Sequence, residues 1–360
     1  MFRWKHGAIN VNYCKQSGRY GNFIINFTTM IMQLYNPFQN FDFSPQKCFL
    51  TGKTLHSFSK EQIFVFPEWL LDRYSLKDKT FKMLEGSSLK YKDMKIPCFE
   101  SVINNAINPL EEEIEKAFTV GYEAVKDLPE DRLFLWMAKL MYGVLYHDIS
   151  IEQRKPIKNG KEFTLPIFLQ ERFGKLHSIL QSLVCPVDFD GTKLWTIKVF
   201  NINISKDIFN YKDETTNLNF SLGMHDFGII ACLQDNGAVG IDQKRITDLF
   251  SNKVLHPIQF EELSARYIYS NYLLNSYAKY TIRSTEEKMI IESAPLTATA
   301  NKPLFDYWDD DMFSQVLAIY WKPWGIAKDD IIMFGNSPIS YLENHDTYEI
   351  IESDSITLPF

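Results

Sequence analysis

Cys48 and Cys98 each open a four-residue stretch that closes on a hydroxyl, Cys48-Phe-Leu-Thr51 and Cys98-Phe-Glu-Ser101. A cysteine pair at both places would give the four thiolates of a closed, tetrahedral structural zinc site. Thr51 and Ser101 stand where the second thiolates belong, outside the thiolate and imidazole set that such a site uses. The first expectation is therefore a chain that holds no metal cofactor. If zinc is held, the ligands to expect are Cys48, His56 and Cys98, with Glu61 or Glu100 as a fourth. The seven residues between Cys48 and His56 are not a usual knuckle spacing. Between the cysteines lies Glu61-Gln62. A general base must take a proton near neutral pH, and the amide of Gln62 does not. No catalytic residue is therefore expected. Were the chain active, Glu61 and His56 would be the candidates.

The order of these residues extends further. Ser59-Lys60-Glu61-Gln62 is followed by Pro67-Glu68-Trp69-Leu70, then by Cys98, Asn104-Asn105 and Leu110-Glu111. Over about residues 44 to 146 this resembles divergent HNH endonuclease-like proteins, and it also touches Phe134-Leu-Trp136 and Lys139-Leu-Met-Tyr-Gly143. In that family a Cys-x-x-Cys precedes Ser-x-Glu-His-x-x-Pro-x-Trp-Leu, and a second Cys-x-x-Cys-Asn leads into a helix that begins Leu-Glu. The resemblance implies a degenerate treble-clef-like frame in which the catalytic His is Gln62 and both cysteine pairs are halved. It also implies an apolar plug where zinc would sit, for which Phe49, Phe58, Phe64 and Phe66 are the candidates. A coincidental match within a plain α+β protein is the alternative.

Charge bounds the partners. The chain has 360 residues and a net charge of −7. An extended nucleic-acid interface must neutralise many phosphates, and an acidic chain is poorly made for that. One window runs the other way: Arg73, Lys77, Lys79, Lys82, Lys90, Lys92 and Lys95 give the stretch 73–95 a net charge of +4. It is a candidate for phosphate contact or simply a solvated loop, and the absence of aromatic interleaving favours the loop. Five scattered cysteines argue against a disulfide framework. No apolar run approaches the roughly 20 residues that span a bilayer. A cytoplasmic protein without membrane contact is expected.

These residues need elements to position them. Phe23–Tyr35 reads as a helix after a turn at Arg19-Tyr-Gly-Asn22, and Pro67 opens a short helix. Leu110, Ile114, Phe118, Tyr122 and Val125 recur at helical spacing, with Pro109 suited to the first turn. Arg132–Tyr146 is apolar almost all round, as a core helix would be, and Leu165–Leu183 is a third. The second half changes character. Leu194–Ile204 reads as a strand with a bulge, Leu218–Met224 alternates, and Phe227–Leu233 is a buried strand closed by Asp235-Asn-Gly237. Pro257–Tyr280 reads as one long helix with Tyr267, Tyr269, Tyr272 and Tyr277 on a face. Met289–Ile291 reads as a strand, and Asp309–Tyr320 as a helix that stops before Pro323. His225, Asp226 and His256 read as turn and capping residues.

The expected fold is α+β: a helical part over 1–188 carrying the HNH-like remnant, then a mixed sheet flanked by helices over 189–360. The expected function is a non-catalytic, nuclease-derived protein that binds a protein or nucleic-acid partner. The alternatives are an active metal-dependent nuclease or other enzyme, and a purely structural interaction module.

Overall fold

Pro67 cannot donate a backbone hydrogen bond, and it stands where the first helix among the described residues begins, α1 (Glu68–Arg73). The computed structural model describes residues 34–56, 61–84, 86–154, 163, 165–276, 278–332, 337–344 and 346–358. The expected turn at 19–22, most of the helix expected from Phe23, and the side chains of Phe58 and Tyr277 lie outside them.

Two short hairpins frame the cysteine region. Strand β1 (Gln62–Phe64) pairs antiparallel with β4 (Lys95–Pro97), and β2 (Thr80–Lys82) with β3 (Ser88–Lys90). From β4 the chain enters α2 (Glu100–Val102) and passes through a π turn at Ile103–Ile107 into α3 (Asn108–Val120). The single helix expected to reach Val125 breaks at Gly121, and α4 (Tyr122–Lys126) follows. Gly121 has φ of +109°, and a Cβ there would come within 2.5 Å of the Asp226 carboxylate. Only glycine suits both demands. Helix α5 (Glu130–Arg154) is buried on nearly every side over residues 133–146, as its composition required, and α6 (Ile167–Leu180) packs against it.

The second half builds a five-stranded mixed sheet in the order β10 (Val254–Leu255), β6 (Thr196–Ile202), β9 (Phe227–Cys232), β8 (Asn219–Met224) and β7 (Phe209–Glu214). A three-stranded sheet joins β11 (Tyr280–Ser284), β12 (Met289–Ser293) and β5 (Val187–Gly191). Helices α7 (Ala238–Asp242), α8 (Lys244–Phe250), α9 (Pro257–Leu273), α10 (Asp310–Trp321) and α11 (Lys328–Ile331) complete the α+β fold. The two halves share an apolar core: Phe118 meets Phe227, Trp136 meets Phe220, and Phe134 stacks on Trp195 at 4.2 Å. The division at 188/189 runs through β5.

Three further expectations change. Pairing of β6 with β9 is continuous from Thr196 to Asn201, so the shift in apolar phase is no bulge. Both faces of β6 are partly covered, which removes the need for strict alternation. Helix α9 ends at Leu273, because Leu274 bridges Phe305 and the chain around it exchanges backbone hydrogen bonds with 304–306. Tertiary strand pairing overrides the helical pattern there. Tyr267 and Tyr269 are buried while Tyr272 is exposed, so the tyrosines do not form one face.

Candidate functional site

The chain reverses at Cys48–Lys53. Cys48 N donates to Lys53 O at 2.8 Å, and Gly52 N to Cys48 O at 2.9 Å. Gly52 sits at φ of +68° with the Tyr35 ring 2.5 Å from where a Cβ would be, so a larger residue is excluded twice over. Phe49 N then donates to Pro97 O at 2.8 Å, and Cys98 N to Glu61 O at 3.0 Å. These bonds fix the turn against the end of β4, just where Cys98 leaves the strand for α2.

The consequence is a meeting of two distant thiols. Cys48 and Cys98 are both fully buried and near enough for each to shift the other's titration, and the Cys98 thiol lies 4.0 Å from Phe99 O. The Thr51 hydroxyl and the backbone N–H groups of Thr51 and Phe99 also favour negative charge at Cys48. The Cys98 thiol foremost, then these donors, favour a thiolate at Cys48 against the opposing effect of burial, and hold it well below the usual thiol range. The Cys98 thiol is pushed the other way by Cys48 and by burial, so it keeps the proton of the pair.

His177 of α6 supports this turn from behind and was not singled out from the sequence. It is fully buried, with Nε2 2.7 Å from Phe49 O and Nδ1 3.3 Å from Gln181 Nε2. Burial lowers its pKa to about 4, so the ring is neutral, donates from Nε2 and accepts at Nδ1. Its neighbours Phe173, Leu176 and Leu180 mark the buried face of α6, and that periodicity was the available signal. Of the expected plug residues, Phe49 lies here against Tyr142. Phe66 instead packs on Phe81, Tyr91 and Tyr211, and Phe64 lies beneath the Lys95 ammonium.

His56 takes no part in a ligand group with the two thiols. Its backbone N–H donates to Glu61 Oε2 at 2.6 Å, and its ring lies 5.7 Å from that of Phe99. Glu61 is buried, and its carboxylate fastens the chain ahead of β1. His56, Glu61, Phe99, Glu100, Ser101, Asn104 and Asn105 line an open cleft of about 400 Å³ beside the knuckle. Among the described residues, no three His, Cys, Asp or Glu side chains are gathered as metal ligands. The residues at the four knuckle positions do not fit a zinc ion, because two of them offer neutral hydroxyls.

A second buried network links α3 to α5. The Lys139 ammonium pairs with Glu111, whose other oxygen accepts from Trp136 Nε1 at 3.1 Å, and Lys139 Nζ also lies 3.4 Å from Phe64 O. A lone lysine in an otherwise apolar helix was the signal for such a pair. The charged window 73–95 is largely engaged with the protein itself. Lys77 pairs with Glu68 and Asp72, and Lys90 and Lys92 pair with Asp78. Arg73 donates to Phe118 O and lies over Trp69. Lys79 and Lys82 are exposed on the same hairpin.

His225 and Asp226 form the tight turn between β8 and β9, and His256 caps α9, in line with the turn and capping reading. Lying in a turn, His225 Nδ1 and Asp226 Oδ1 approach to 2.9 Å, a contact that strand geometry would have forbidden. Asp226 Oδ1 also accepts from Tyr122 N at 2.8 Å and so ties the sheet to α4.

Family models, curated proteins and solved structures give no match to this chain. Its site is therefore read from its own geometry. No helix among the described residues is long and apolar enough to cross a membrane.

Proposed function

We propose that this chain is a nuclease-derived protein that has kept the frame of an HNH-like unit without its metal or its base, and that it acts by binding a macromolecular partner. The turn that carries Cys48 is bonded to the strand end that carries Cys98, with both thiols fully buried, and this convergence carries the reading. A coincidental sequence match gives no reason for residues fifty positions apart to converge in the order a zinc knuckle requires. Gln62 and the engagement of Glu61 with the backbone of His56 argue against hydrolysis by the family's route. The partner is a protein in preference to nucleic acid, because most cations of the 73–95 window are already held by neighbouring carboxylates, a carbonyl or aromatic rings.

The cleft lined by His56, Glu100, Asn104 and Asn105 favours a second reading, a weak metal-dependent nuclease. Incubation with single- and double-stranded DNA in magnesium, manganese or zinc separates the two. The expected outcome is no cleavage, and DNA binding no tighter than about micromolar at physiological salt, the non-specific range. Cleavage that vanishes in His56→Ala or Glu61→Gln would establish the second reading. Tight, salt-resistant DNA binding would overturn the preference for a protein partner.

A further inference from the structure

We infer that strand β5 (Val187–Gly191) is the edge at which this chain holds its partner, pairing with an extended protein segment in which basic and apolar side chains alternate. The inference rests on the reading that the partner is a protein, and adds where and how that protein is held. Strand β5 is the outermost strand of its sheet and pairs on one side only, parallel to β12. Met289 N donates to Pro186 O at 2.9 Å. Direction alternates along a strand, so the backbone groups of Asp188 and Asp190 also face β12, and the N–H and C=O of Val187 and Phe189 face outward. Among the described residues those outward groups meet no hydrogen-bond partner, and residues 188–191 are exposed. An open edge of this kind is a template for one more strand.

The two faces of the edge ask for different side chains. On one, Phe189 is 42% exposed, its ring lies 5.7 Å from that of Trp195, and both border a cleft of about 430 Å³. On the other, Asp188 and Asp190 stand beside Ile290 and Glu292 of β12. Lys288 neutralises Asp188 and Arg283 neutralises Glu292, which leaves Asp190 without a cation among the described residues. The cleft adds Asp131, also without one there, while its Lys193 is taken by Glu130. A strand laid along β5 therefore meets apolar surface at every second residue and carboxylates at the residues between. Opposite charges facing one another across strands stabilise the pairing. A second copy of β5 would instead set Asp188 and Asp190 against carboxylates, which is unfavourable.

The test is fluorescence anisotropy of the full chain with a labelled, end-blocked peptide in which Lys and Val alternate, read together with amide hydrogen exchange. That peptide should bind roughly tenfold or more tightly than its counterpart of alternating Glu and Val, and should protect residues 187–191 from exchange. N-methylation of every second peptide amide should abolish binding in one phase and spare it in the other, because only alternate amides face β5. Asp190→Lys should weaken binding of the Lys-containing peptide by about fivefold with circular dichroism unchanged, and the methylated peptides need no variant at all. The DNA titration under the proposed function decides separately whether the partner is a protein, so the two failures are distinguishable. No binding of the Lys-containing peptide, equal affinity for both peptides, equal effects of the two methylation phases, or protection confined to residues outside 187–191 would each overturn the inference. So would a concentration-dependent dimer whose formation protects 187–191, since it gives the edge to a second copy.

Discussion

Lys139 carries the clearest energetic argument at the scale of single residues. Its ammonium is almost wholly buried and is balanced by Glu111, which in turn satisfies Trp136 Nε1. Removing one partner of such a pair leaves a charge in an apolar setting, at a cost of about 3–5 kcal/mol. Lys139→Met should therefore destabilise the chain by roughly that amount in urea titration, and adding Glu111→Leu should recover a substantial part. Equal losses in the single and double variants would show that packing, rather than charge, governs the site. The lysine and the glutamate are plain in the sequence as residues, and Leu110-Glu111 belongs to the family resemblance. Their pairing is not legible there, because twenty-eight residues separate them and the helix break at Gly121 sets their approach.

Among the elements, α9 and the sheet beneath it depend on small and polar residues meeting closely. Leu218, Phe220, Leu222 and Met224 alternate cleanly, which suggests a strand with one wet face. Yet Asn219, Ser221 and Gly223 are also covered, by α9: Asn271 Nδ2 donates to Asn219 Oδ1, and Ser221 and Ser264 share a hydrogen bond of 3.0 Å. A polar face buried by a polar helix leaves no hydropathy signal, so the sequence shows the strand but not its second cover. Phe260 comes so near Gly228 that a Cβ there would lie 2.3 Å from its ring. Gly228→Ala should force α9 outward and lower stability by about 1–3 kcal/mol, the usual range for overpacking. A melting temperature unchanged from wild type would mean that α9 is less closely seated than described. Helices α1, α5, α6 and α10 were legible because each combines an apolar pattern with a terminal proline or acidic first turn. Strands β1 to β4, of three residues each, are too short to carry a period.

For the molecule as a whole, acid stability sums opposing buried groups. His177 titrates near 4 in the fold, below its ordinary 6.5, because burial disfavours its charge. The unfolded chain therefore binds that proton more readily. Stability from His177 is complete above about pH 6.5 and is lost as pH falls towards 4, by roughly 3 kcal/mol at full extent. Asp213 and Asp235 work oppositely. Burial raises each to about 6 from 3.8, so protonation favours the fold and stability is gained as pH falls through that range. Two aspartates against one histidine leave a net gain, so these three groups together should make the wild type more stable, by roughly 2–3 kcal/mol, as pH falls from 6 to 4. His177→Gln removes one side of the balance: its cost relative to wild type should be greatest at pH 7.5 and smaller by about 2–3 kcal/mol at pH 4.5. Parallel stability curves across that span would contradict the neutral, buried imidazole.

The same whole-molecule view returns to the knuckle, which joins the turn 48–53, the strand β4 and the start of α2, and is braced by α5 and α6. If this frame descends from a zinc-bearing one, restoring the two missing thiolates should restore the metal. The direct measurement is zinc per chain by elemental analysis in wild type and in Thr51→Cys/Ser101→Cys, each purified with zinc present. The account predicts far less than one equivalent in wild type and about one in the double variant, the full thiolate set of a structural site. One equivalent in wild type that is lost in Cys48→Ala, or a folded double variant that takes up none, would contradict it.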